Sequence, residues 1–255
     1  MIVPAAWASN ALAASTGGVA PDASVPATAT TPSPTLHLDP VTSRNRSVAY
    51  KGPVYERTST GAVVPYTPTP AGATNTTAAA ASATGGSAPT STTAPASLPP
   101  AAVASGPTPR PQLLVPGSTA RYVGGLAAAP MNVPLQVQEV IWAGNELIGL
   151  PYIFGGGHRS FISPGYDCSG TVSFALHGAG LLSTPEDSSE MMVTGSHGVG
   201  RYIAVFANSG HAYMTVAGLR LDTSSADDPS NQQGPRWRPL RANNSGYTVR
   251  HPLGY

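Results

Sequence analysis

The chain has 255 residues, a formal net charge of +1 and only 10% charged side chains, while Gly 28 and Pro 27 together exceed a fifth of it. With so small a net charge, no global field draws in nucleic acid or an anionic membrane. A single cysteine excludes an intrachain disulfide and any multi-cysteine zinc or iron–sulfur site, and the absence of an apolar run of ~18 residues leaves no transmembrane helix to expect.

Residues 1–20, MIVPAAWASNALAASTGGVA, are uncharged and mostly apolar, and Ala11-Leu12-Ala13 has the small-x-small form of a signal-peptidase site. They read either as a signal peptide that lacks its positive start or as a plain unstructured terminus. From 21 to 130 the sequence reads as a low-complexity linker. Between Thr58 and Pro109 there is no Asp, Glu, Lys or Arg, and Tyr66 is the only aromatic residue. Small side chains such as those of Thr76–Ala102 remove too little apolar surface from water to offset the ~1–2 kcal/mol of backbone entropy that each ordered residue costs. A long disordered Ala/Thr/Pro-rich arm is therefore expected. Leu36–Arg57 carries more charge and two tyrosines, and is free either to dock on a domain or to stay loose.

Beyond Met131 the character changes, because all four Phe, Trp142, Trp237 and the sole Cys lie there. Residues 131–255 are numerous enough to bury a core of their own. Val137–Ile148 places apolar residues near i, i+3, i+4, i+7 and predicts an amphipathic helix, stopped by Gly149 and Pro151. Asp167 is placed to cap a second helix, Cys168–Gly178, with a glycine stop at Gly178-Ala179-Gly180. Arg201–Ala207, His211–Val216 and Leu219–Thr223 predict strands joined by turns at Asn208-Ser209-Gly210 and Ala217-Gly218, and Tyr247–Arg250 predicts a last strand. Helices first and antiparallel strands afterwards make an α+β domain.

A lone cysteine opening a helix is the most informative feature. The orphan backbone N–H groups and positive dipole end of a helix N-terminus stabilise an anion, which lowers a thiol pKa and makes the sulfur nucleophilic near neutral pH. His211, first in its strand after a tight turn, is the leading base. If Ala217-Gly218 is a two-residue turn, Val216 faces Leu219 and Asp222 faces Tyr213. Asp222 then shares the face of His211 on the diagonal, ~7–8 Å away between backbones. A carboxylate there can orient the imidazole and stabilise its charged form.

Pro151-Tyr152-Ile153-Phe154-Gly155-Gly156, then Asp167-Cys168-Ser169-Gly170 opening a helix, then Gly210-His211 opening a strand, resemble the NlpC/P60 cysteine peptidases of bacterial cell walls. The resemblance covers about Val137 to Thr223. It implies a papain-like fold with the Cys-bearing helix packed on an antiparallel sheet. It also implies hydrolysis of amide bonds in peptidoglycan stem peptides, commonly between γ-D-glutamyl and a diamino acid. By motif match Cys168 is the nucleophile, His211 the base and Asp222 the third polar residue, a place that Thr223 or Ser224 takes if the hairpin turn is one residue longer. Tyr152, Asp167 and Ser169 match positions that line the substrate groove. GRYIAVFANSGH stands where the family usually has a Pro-Gly-Asp-Leu stretch, and the family's third residue is more often His, Asn or Gln.

The resemblance implies no cofactor, and its partners are peptidoglycan stem peptides met by a secreted or wall-associated monomer. Two other readings use the same residues: a wall-binding module without turnover, and an amidase or acyltransferase with the same Cys–His pair. His158 reads as a loop hydrogen bond or as a group bordering the cleft. His177 reads as a charge at a helix C-terminus. His197 and His251 have no partner at ligand spacing, so no metal site is expected, and Gly155-Gly156-Gly157 lacks the Lys-Ser/Thr of a phosphate loop. Arg236, Arg238, Arg241 and Arg250, around Trp237, read as a solvated rim or as a contact for anionic wall polymer.

Overall fold

Runs rich in β-branched and aromatic residues form strands here, but so do stretches whose composition gives no such signal. The computed structural model describes residues 50–68 and 106–255. A first sheet is built from β1 (Tyr55–Arg57), β2 (Val63–Pro65), β3 (Gln112–Val115), β4 (Arg121–Val123) and β5 (Leu126–Pro130), in the order β2-β1-β3-β5-β4. The β3–β5 pair is parallel and the others are antiparallel. Helices α1 (Leu135–Glu146) and α2 (Cys168–Gly178) follow, then a 3₁₀ turn at Glu190–Met192. The second sheet comprises β6 (Ser196–His197), β7 (Ile203–Asn208), β8 (His211–Val216), β9 (Leu219–Asp222), β10 (Arg236–Arg238) and β11 (Thr248–His251). It is antiparallel throughout, in the order β10-β9-β8-β7-β11-β6. The domain is α+β, with two helices and two sheets among the described residues.

One core joins these layers. Leu114, Ala127 and Ala129 from the first sheet meet Val137, Val140 and Ile141 of α1 and Val172, Ala175 and Leu176 of α2. Ile203, Val205, Met214, Val216 and Leu221 close it from the second sheet. Each fully buried side chain of this size contributes ~1.5–3 kcal/mol of transfer free energy. The run IAVFA of β7 is apolar on both faces because both are covered: alternate residues meet the helices, while Ala204 and Phe206 lie against Tyr213, Tyr247 and Val249. Among the described residues no helix is long and apolar enough to cross a membrane.

Two expectations need correction. The span 21–130, read as a linker, contains five strands, so residue 131 falls inside the domain and not at its edge. Alanines that bury little surface singly are wholly enclosed as a set. Ala127, Ala128 and Ala129 lie under neighbours on both sides, and Leu113, Val115 and Ala128 gather Tyr50, Val54 and Tyr66 into a cluster of their own. The signal-peptide reading and the linker stretch 69–105 lie outside the described residues. Of the arginine cluster, Arg238 does not belong to a solvated rim either, whereas Arg236, Arg241 and Arg250 are partly exposed. Trp237 and Arg238 are buried, and Arg238 donates to the carbonyls of Asp222, Thr223, Gln232 and Gly234 and pairs with Asp228.

Two tight turns set the register beneath the site. Asn208 pairs with His211 across Ser209-Gly210, and the Asn208 Oδ1 accepts from the N–H groups of both Gly210 and His211 at 2.9 Å. Val216 pairs with Leu219 across Ala217-Gly218, whose φ values of 46° and 92° are both left-handed, as a primed hairpin turn requires.

Candidate active site

The segment that delivers the cysteine is locked by its neighbours. Asp167 caps α2, its Oδ1 accepting from the Gly170 N–H at 2.8 Å, and its Oδ2 accepts from the Gly155 N–H at 3.0 Å. One carboxylate thus ties the glycine loop to the helix start. The approach is close: a Cβ on Gly170 would lie 2.0 Å from the Gly156 carbonyl oxygen, so a side chain is sterically excluded there. Cys168 opens the helix, half-buried and unbridged.

Strand β8 brings the base to the thiol. His211 and Cys168 share a side-chain hydrogen bond, and the Ala212 backbone N–H also donates to the sulfur. Burial pushes the Cys168 thiol up, but these hydrogen bonds and the charge of His211 outweigh it and hold the thiol below its ordinary value. The second ring contact is to Asp222, with Nε2 2.9 Å from Oδ1. Burial favours the neutral ring, yet the bonds to Asp222 and Cys168, with their charges, raise the His211 pKa to about 9. Opposite shifts in the two partners favour a thiolate–imidazolium pair over a thiol beside a neutral ring.

Asp222 occupies the diagonal position that the hairpin register dictates. Its Oδ1 also accepts from the Ser224 N–H at 2.8 Å, which fixes the carboxylate, and Arg238 holds its backbone carbonyl. Among the described residues Asp222 is the hydrogen-bond partner of His211 Nε2, and neither Thr223 nor Ser224 takes that place.

The three groove candidates surround the same helix start. Ser169 is buried, and its hydroxyl lies 3.1 Å from His158 Nε2, which also sits 3.0 Å from Asp167. His158 therefore acts as a loop hydrogen bond that bridges two of the candidates. Because both contacts fall on one nitrogen, it is not a relay through the ring. Tyr152 is about half exposed, and its phenol is pushed up by burial and then by the charges of Cys168 and Asp167. Arg220, two residues before Asp222 on the same face of β9, was not singled out in the sequence. The period of two that finds Asp222 finds Arg220 as well, but a strand arginine ordinarily points to water.

Among the described residues no group of three or more His, Cys, Asp or Glu side chains could hold a metal ion. No protein-family model matches the chain, and no curated protein matches it.

Proposed function

We propose that the chain is a cysteine peptidase of the NlpC/P60 kind, with a papain-like arrangement of Cys helix on antiparallel sheet, exported to act on peptidoglycan stem peptides. The observation that carries this reading is His211 held between Cys168 on one side and the Asp222 carboxylate, at 2.9 Å, on the other. In that arrangement the thiolate attacks the amide carbonyl carbon, and the Cys168 N–H at the helix start donates to the developing oxyanion. His211 protonates the leaving amine as the C–N bond breaks. Water, giving its proton to His211, then hydrolyses the thioester, releasing the carboxylic acid and restoring the thiolate–imidazolium pair.

The test is digestion of purified peptidoglycan, with mass spectrometry of the released fragments, by the wild-type chain and by Cys168→Ala. New amine and carboxyl ends within the stem peptide, absent with the variant, support the reading. Intact peptidoglycan, or equal cleavage by the variant, overturns it.

A further inference from the structure

Arg220 and Asp222 stand two residues apart on β9, and both are fully buried. The Arg220 Nε lies 3.6 Å from Asp222 Oδ2, an ion-pair distance too long for a hydrogen bond. Nη2 donates to the Ala226 carbonyl, whereas Nε, Nη1 and Asp222 Oδ2 have no hydrogen-bond partner. The other charged or titratable groups facing the guanidinium are Tyr213 of β8, whose ring centre lies 5.9 Å away, and Arg241 and Arg238. A buried guanidinium with two unmatched donors is costly, and a whole buried ion pair exchanged for apolar residues is often neutral or stabilising. Fold stability alone does not account for it.

The charges of the site do. Thiolate, imidazolium and carboxylate leave a net negative charge in a half-buried place, and Arg220 brings the set to neutral. We propose that Arg220 is a positioning residue that shares the Asp222 carboxylate with His211 and so limits how firmly the imidazolium holds its proton. This rests on the reading of Cys168, His211 and Asp222 as a catalytic arrangement. During thioester formation the ring must pass its proton to the leaving nitrogen, and an imidazolium gripped by two unopposed anions is a poor acid for that step. A cation behind the carboxylate, too deep to meet substrate, weakens the grip without altering the contact itself.

The proton on His211 can be followed directly, by NMR titration of its Cε1–Hε1 group in the full chain, with the signal assigned by its loss in His211→Gln. His211 is faced by Cys168 from α2, by Asp222 from β9, and by Tyr213 and Tyr247 at ring distances of 6.2 and 6.4 Å. Arg220→Met and Arg220→Gln remove the cation and should raise the His211 midpoint by about one pH unit, leaving about tenfold more imidazolium per neutral ring at a given pH. Arg220→Lys keeps a cation and should stay near the wild-type midpoint. In the cleavage assay the basic limb should move upward with it. An unchanged or lowered midpoint in both uncharged variants overturns the inference. So does failure of both to fold, since Arg220 would then be a fold-forming residue. The titration needs no substrate, so a wild-type chain that cleaves nothing counts against the peptidase reading, whereas a fixed midpoint counts against the role of Arg220.

Discussion

Asp222→Asn keeps an oxygen for the Ser224 N–H and for the ring, but loses the charge that steadies the imidazolium. In the serine-triad case that exchange costs about 10⁴ in kcat. A cysteine enzyme has its ion pair partly formed beforehand, so about 10–10³-fold is expected here, with Thr223→Ala and Ser224→Ala under about tenfold. Steady-state rates of the three variants check this, and a silent Asp222→Asn would remove the carboxylate from the site. The pH dependence follows from the two shifts. Activity rises through the lowered Cys168 value and falls as His211 loses its proton near pH 9. For stability the sign is that of a raised base: the His211 contribution is fully present below its unfolded value of about 6.5, and it is lost as pH rises through about 9. Rate and melting profiles between these limits read both. At this scale much was legible, because strand periodicity and a two-residue turn are arithmetic. The partners of His158 and the burial of Arg238 were not, because each depends on loops whose path no local pattern dictates.

Elements carry the next constraint. Helix α2 meets the glycine loop so closely that Gly170→Ala drives a methyl group to 2.0 Å from the Gly156 carbonyl. Overpacking against backbone costs ~1–3 kcal/mol, and relief requires moving the helix start together with its thiol. The variant should melt lower, and iodoacetamide should modify Cys168 more slowly than in wild type. Unchanged melting and unchanged alkylation would show that the loop yields freely. Both helices lie close to where their capping and glycine signals place them; α1 starts two residues earlier than Val137 and α2 spans Cys168–Gly178 as expected. Strand β5 was hidden because LAAAP has none of the branched or aromatic residues that mark strands, and its burial is decided by neighbours distant in sequence.

For the whole molecule, the first sheet is part of the core and not an appendage. The Trp142 Nε1–H donates to the Leu113 carbonyl at 3.0 Å. The buried Asn145 exchanges two 2.8 Å bonds with the backbone of Ala127 while accepting from Trp237 Nε1. A chain begun at residue 131 strands these polar groups, each costing about 1–3 kcal/mol when left buried and unpaired, and uncovers the Leu114 and Ala129 side of the core. It should be insoluble or molten, whereas a chain begun at residue 50 should show dispersed NMR signals; equal dispersion in both would show the first sheet to be dispensable. The lone thiol carries a further consequence, in redox terms. Cys168 is the only cysteine of the 255 residues and is held toward its thiolate. Hydrogen peroxide would convert it to a sulfenic acid, releasing water, and the chain has no second thiol to resolve that product as an internal disulfide. Only a thiol supplied from outside can return the sulfur to its reduced form before further oxidation makes the loss permanent.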